Sequence, residues 1–234
     1  MHANSIAWSP EDGDLIVSLR AQDWAIKIDY ADGTGDGHVL WRLGPGGNFR
    51  INATGPSPWF THQHDVRVIN NNTLALYDDG NVRHSKDPQA TSRGQELVLN
   101  EQTRVATLVV NANLGTYNAA LGSAQMLPNG NLDFDSGIVE QTVEVLPNGK
   151  NFYVLKMNMY GAQYRSYMYA SLYGNPADSS LPSTPISPPL ERRLEKLERQ
   201  AAIRQARQVV PRHHGVPSAS RASRDSGRRN HHHG

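Results

Sequence analysis

Ser123-Ala124-Gln125-Met126-Leu127-Pro128-Asn129-Gly130-Asn131-Leu132-Asp133-Phe134 reads as a strand, an Asn-Gly turn and a second strand. An Asn-Gly pair between two apolar-containing runs is the strongest short-range hairpin signal, because both central residues of the tight turn need a positive φ. The same succession occurs twice upstream. Ser5 to Val17 turns through Ser9-Pro10-Glu11-Asp12-Gly13-Asp14, and Asp65 to Leu76 turns through Asn70-Asn71-Asn72. The three starts lie about 60 residues apart. Around them, short runs rich in Val, Ile, Leu, Tyr and Thr predict strands over 14–19, 24–30, 38–43, 74–77, 96–99, 105–110, 132–134, 138–145 and 152–157. No helical stripe precedes residue 190.

A unit of about four strands repeated at a long, fixed period is the signature of a β-propeller, in which no blade can bury both faces alone. The expected fold is therefore all-β, with three four-stranded blades at about 2–49, 59–111 and 119–174. Three blades do not close a ring, since propellers have typically four to eight. The first blade begins with the first residues, so the simplest account is the C-terminal half of a longer protein. A split gene, or a homodimer that completes the ring, gives the same sequence.

The chain of 234 residues carries a formal charge of +1, unevenly placed. Residues 1–190 hold 12 Lys and Arg against 18 Asp and Glu, a net of −6, and residues 191–234 hold 11 against 4, a net of +7. All four Trp, four Phe and nine Tyr lie at or before Tyr173, so the folded unit is expected over 1–174. Residues 175–189 have a Pro/Ser-rich linker composition. Leu190, Leu194, Leu197 and Ala201 give a narrow apolar seam that predicts an amphipathic helix over 190–210, one that docks, frays or pairs in a short coiled coil. Residues 211–234, rich in Arg, Ser, His and Gly, read as a disordered basic tail, solvated rather than bound to nucleic acid or lipid; His231-His232-His233 belong to its composition. No run reaches the roughly 20 apolar residues of a membrane span, and the chain shows no secretory signal. Zero cysteines exclude disulfides, thiolate metal sites and a cysteine nucleophile.

Histidines stand at equivalent places in the repeat: His2-Ala3-Asn4-Ser5 opens the first blade and His62-Gln63-His64-Asp65 the second, while Arg20 ends the second strand of the first. The innermost strands of a propeller line one channel, so these positions converge. His2, His64 and Arg20 then form a cationic, proton-exchanging cluster suited to a small oxyanion: the Arg fork holds the anion and the histidines act as nucleophile or acid and base. The plainer alternative is that each histidine caps a backbone or satisfies a buried polar group. Strand alternation places His62 on the same face as His64 and Asp65 on the other, and no carboxylate motif completes a two-histidine metal site. Gly44-Pro45-Gly46-Gly47-Asn48 lacks the Lys-Ser/Thr of a phosphate loop and is read as a turn. Arg83 and Arg165 add positive charge to a rim or solvate a surface, and Tyr160, Tyr164, Tyr167, Tyr169 and Tyr173 are expected to pack between blades rather than bind an aromatic substrate.

His2-Ala3-Asn4-Ser5-Ile6, Ser18-Leu19-Arg20, Lys27-Ile28-Asp29, Trp41-Arg42-Leu43-Gly44, Gln63-His64-Asp65 and Leu76-Tyr77-Asp78-Asp79-Gly80, in this order, resemble the bacterial arylsulfotransferases. These are PAPS-independent enzymes on a six-bladed propeller, and the likeness runs from residue 2 to about 174. The resemblance implies ping-pong transfer of a sulfuryl group from an aryl sulfate donor to a phenolic acceptor through a sulfated histidine. It puts the nucleophile on His64 and the binding of sulfate oxygens and help to the leaving phenol on His2 and Arg20, with Asn4 in substrate binding. No metal or nucleotide cofactor is implied. A further histidine that the family takes from an earlier blade has no counterpart here. Family members are usually exported, which implies a periplasmic or secreted home. The alternative is a non-catalytic propeller fragment that binds small anions or a protein partner.

Overall fold

Period-two patterning builds three antiparallel sheets in succession along the chain. The structure is a computed structural model that describes residues 2–70, 72–157 and 161–169. The expected linker 175–189, helix 190–210 and tail 211–234 lie outside the described residues, as do Tyr160 and Tyr173.

The first sheet contains β1 (Ala3–Trp8), β2 (Leu15–Leu19), β3 (Trp24–Ile28) and β4 (Val39–Leu43), paired in chain order. A three-residue strand β5 (Arg50–Asn52) follows and crosses to the second sheet. That sheet runs β6 (His64–Asn70), β7 (Thr73–Asp78), β8 (Arg93–Asn100) and β9 (Val105–Asn113), with β5 added parallel to the outside of β9. The third sheet is β10 (Ser123–Met126), β11 (Leu132–Ser136), β12 (Gln141–Val145) and β13 (Asn151–Lys156).

The middle sheet is covered on both faces, and β7 shows why its sequence is apolar without interruption. Leu74 and Leu76 pack toward the first sheet, in a core with Ile16, Ala25, Trp41, Leu43, Val66 and Leu97. Ala75 and Tyr77 point the opposite way, into a second core with Val110, Ala112, Ala124, Leu132 and Phe134. Each fully buried Leu or Phe contributes roughly 1.5–3 kcal/mol relative to exposure. Sheet contact is close enough that a Cβ on Gly94 would collide with the Phe134 ring.

The first strands β1, β6 and β10 are neighbours, tied by side chain to backbone bonds. Asn4 Nδ2 donates to the Gln63 carbonyl at 2.7 Å, Val66 N–H to Ser5 Oγ at 3.0 Å, and Ala124 N–H to Asp65 Oδ2 at 3.1 Å. Residues 161–169 staple the same three strands. Arg165 donates to the Asn4 carbonyl at 2.5 Å, Tyr167 to Asp65 at 2.9 Å, and Met168 N–H to Gln125 Oε1 at 2.7 Å.

Four sequence expectations need correction. The middle sheet has five strands, not four, because β5 completes its outer edge. A short helix α1 (Asn81–Lys86) follows β7, where the sequence pattern predicts none; Gly80 at φ +74 allows the turn into it, and a Cβ there would meet the Arg83 guanidinium. Residues 138–140 form a turn ahead of β12, with Glu140 at φ +52. His62 precedes β6 at φ +56, so strand alternation does not govern it. Gly44 to Asn48 is the expected turn, closed by Gly47 N–H to Gly44 and Asn48 N–H to Arg42.

Candidate active site at the start of β6

Gln63 anchors the entry to β6. Its side chain has no solvent exposure and its Nε2 donates to Trp24 O at 2.9 Å and Ser18 Oγ at 3.1 Å, joining the second sheet to the first. On either side the backbone is forced: His62 and Asp65 have φ +56 and +49, and Leu121, across from His64, has φ +67. Left-handed non-glycine residues cost of order 1–3 kcal/mol each and gather where the surroundings over-determine a geometry. His62 turns away to Asp23, with N–H to Oδ1 at 2.6 Å and Nδ1 to the same oxygen at 3.2 Å. The expected sharing of a face by His62 and His64 is therefore absent.

His64 is 3% exposed. The Leu121 N–H donates to its Nε2 at 3.3 Å, so Nε2 carries a lone pair and the ring hydrogen is assigned to Nδ1. Nδ1 lies 3.1 Å from Asp79 Oδ2, within ion-pair reach but off the line of a hydrogen bond. Burial, with the positive charges of Arg20, His2 and Arg165 behind it, pushes the His64 pKa down to about 3. A neutral imidazole, its Nε2 lone pair accepting from the Leu121 N–H, is the result at neutral pH.

Asp79 directly follows β7 and has no exposed side-chain surface. Burial drives its pKa up to about 9, Arg20 opposing and Asp78 reinforcing. Arg20 places one guanidinium nitrogen 3.7 Å from Asp79 Oδ2 and donates from it to Ala119 O at 3.0 Å, while its buried Nε has no partner. Asn81 Nδ2 reaches the same carbonyl at 3.1 Å. Tyr117, whose hydroxyl pKa is raised by burial and by Asp79, stacks on His84 with ring centroids 3.5 Å apart.

His64, Arg20 and His2 thus occupy one neighbourhood, His2 exposed and fixed through its carbonyl to the Arg20 N–H at 2.8 Å. Asn4 is 6% exposed, its amide nitrogen committed to Gln63 and its Oδ1 buried without a partner. Arg165 belongs to the electrostatic surroundings of His64. Arg83 does not serve a rim: Asp78 holds it at 2.7 Å and Arg93 at 2.8 Å. Asp79 and the Leu121 N–H are the parts that sequence reasoning left without a role. The Asp78-Asp79-Gly80 triplet carried a signal for Asp79, two acids closing an apolar strand, whereas a backbone donor leaves none. A set able to hold a metal lies elsewhere, on the β3–β4 connection, where Asp29, Asp36 and His38 bring ligand atoms within 4.8 Å of one another at a partly exposed turn. At the start of β6, a neutral imidazole beside an unsatisfied guanidinium can attack or deprotonate a group whose oxygens bear negative charge.

No curated protein matches the chain. Among solved structures it is similar to a protein of unknown function from Bacteroides caccae, at 16% identity and a TM-score of 0.44 over 72% of this chain and 50% of that one. A Thermus thermophilus protein described as a putative oxidoreductase, glucose dehydrogenase, is similar at 13% identity and a TM-score of 0.36, over 63% of this chain and 44% of that one. The chain spans about half the length of the Bacteroides caccae protein. Residues 1–171 match the family Arylsulfotransferase (ASST), and the chain belongs to that family.

Proposed function

We propose that the protein transfers a sulfuryl group from an aryl sulfate to a phenol in two steps, through a sulfated His64, on three blades of a six-bladed propeller. The observation that carries this reading is the buried, uncharged His64 imidazole, with Nε2 unprotonated, beside the Arg20 guanidinium. Nε2 leaves the Leu121 N–H and attacks sulfur, the S–O bond to the aryl group breaks, and the phenolate leaves with a proton from His2; a second phenol then returns a proton to His2 and takes the sulfuryl group from Nε2. A nucleophile kept neutral does not lose its lone pair to protonation, and burial of His64 supports that role. Arg20 balances charge on the transferred oxygens, as arginine does in phosphoryl transfer. His2, exposed at the same mouth, serves the departing phenol, whose conjugate acid has a pKa of about 10; positioned acids typically contribute roughly 10²- to 10⁴-fold. Asn4 acts from behind the substrate by fixing Gln63.

The reading applies to the completed ring, whether further blades or a second copy completes it, and an extracytoplasmic home is part of it. Among the described residues no helix is long and apolar enough to cross a membrane. The test is release of 4-nitrophenol from 4-nitrophenyl sulfate with phenol as acceptor. His64→Asn is expected to keep the fold and abolish transfer; full transfer by a folded variant would contradict the role of His64.

A further inference from the structure

Asp79 presents a problem that its surroundings do not solve. It is a fully buried carboxyl, neither of its oxygens accepts a hydrogen bond, and its nearest polar neighbours are His64 Nδ1 at 3.1 Å and Arg20 at 3.7 Å. Leaving a buried polar group unsatisfied opposes folding, and more so when the group is charged. The adjacent Asp78 differs sharply: it accepts from the Thr61 N–H at 2.8 Å and pairs with two arginines. The structural carboxyl of the pair is therefore Asp78, and Asp79 faces the imidazole without a fold-holding task.

We infer that Asp79 is the positioning residue for His64: it holds the hydrogen on Nδ1, leaves Nε2 as the reacting nitrogen, and balances the charge the ring acquires on sulfation. This rests on the reading of His64 as nucleophile. When Nε2 bonds to sulfur and the aryl oxygen departs with its electron pair, the ring, still protonated on Nδ1, becomes positive. The Asp79 oxygen that faces Nδ1 stabilises that charge, and the proton the phenolate takes up comes from His2. Two observations agree with this cycle. Asp79 Oδ2 lies 3.1 Å from Nδ1, and burial, which raises its pKa to about 9, keeps the carboxyl uncharged at rest, so its oxygen faces the ring as an acceptor. The Leu121 N–H fixes the opposite nitrogen from the far side, so the ring is oriented at both ends. Catalytic contacts in resting sites are commonly misaligned and tighten with substrate, which fits a 3.1 Å approach that is not yet a hydrogen bond.

The experiment uses the ring-completed protein, uniformly labelled with nitrogen-15, in wild-type, Asp79→Asn and Asp79→Leu forms. Imidazole nitrogen spectra read which His64 nitrogen bears hydrogen, His64→Asn assigning the signals, and near-UV circular dichroism confirms folding. Stopped-flow release of 4-nitrophenol without acceptor reads the sulfation step alone. Wild type and Asp79→Asn, which keeps an acceptor oxygen, should show hydrogen on Nδ1; Asp79→Leu should show a measurable share on Nε2, which only the Leu121 N–H then opposes. Sulfation should fall at least about 10²-fold in Asp79→Leu and less in Asp79→Asn. Hydrogen on Nε2 in the wild type, or an unchanged tautomer and sulfation rate in folded Asp79→Leu, would overturn the inference. Absence of sulfation in the wild type would instead remove the proposed reaction, and the tautomer would still decide the role of Asp79.

Discussion

Nδ1 of His64 lies 3.1 Å from Oδ2 of Asp79, and burial drives both groups toward their uncharged forms. The two groups have opposite pH linkage. His64 binds its second proton more weakly folded than unfolded, so its contribution to stability is present above about pH 6.5 and is lost as the pH falls toward about 3. Asp79, raised from 3.8 to about 9, contributes stability that is present below about pH 4 and lost as the pH rises through 9. For catalysis the His64 shift predicts that the sulfation rate does not decline across pH 6.5 toward 5. A pH profile of the 4-nitrophenol burst checks this, and an acid limb with an apparent pKa near 6.5 would assign an ordinary histidine.

Asp133 and Asp135 stand side by side on one face of β11, and burial raises them to about 7 and about 6. Asp133 has no hydrogen bond on either oxygen, and its neighbours in charge are Asp135 and Glu144, both acids. Folded pKa values above the unfolded one mean that stability falls as the pH rises from about 4 through 7. Asp133→Asn should therefore raise the melting temperature at pH 8 by a few degrees, and much less at pH 5, since about 1 kcal/mol shifts a domain of this size by about 2–4 °C. Differential scanning fluorimetry across that range reads the difference.

Arg20 is predicted to be replaceable neither by Ala nor by Lys. Its fork has one nitrogen engaged at Ala119 and a buried Nε free, a geometry a lysine ammonium cannot reproduce. Steady-state rates should fall about 10²- to 10³-fold for Arg20→Ala, with only partial recovery in Arg20→Lys.

Gly94 of the second sheet packs against the Phe134 ring of the third. Gly94→Ala forces its methyl into the Phe134 ring, and overpacking of this kind costs typically about 1–3 kcal/mol. Phe134→Ala should cost about 3–5 kcal/mol through the cavity it leaves. Urea denaturation monitored by tryptophan fluorescence gives both values.

Turnover is expected to depend on completion of the ring. The same assay on the chain alone and on a form extended upstream by three blades separates the cases: activity only in the extended form assigns the missing surface to those blades, and activity in both assigns it to association.

Hairpin turns and alternating strands were legible because Gly130 at φ +83 and Gly13 at φ +72 mark turns locally, and because Leu74 to Tyr77 of β7 advertise burial on both faces by an apolar run. The short parallel strand β5 and helix α1 were not, since three and six residues carry too little periodicity to register. At the site, His64 and Arg20 were found as types in repeat positions. The turn of His62 toward Asp23 was hidden, because a positive φ in a histidine is imposed by tertiary contacts. The separation of Asp78 from Asp79 was hidden for a related reason: adjacent identical residues differ only in what the fold puts beside them.

The central claim is a covalent sulfated His64, and peptide mass spectrometry tests it most directly. The ring-completed protein is mixed with 4-nitrophenyl sulfate in the absence of acceptor, digested and mapped, with and without a chase of phenol. The mass of one SO₃ group is expected on the peptide containing His64, located on that residue and lost on the chase. Turnover with His64 unmodified, or the group on another residue, would contradict it.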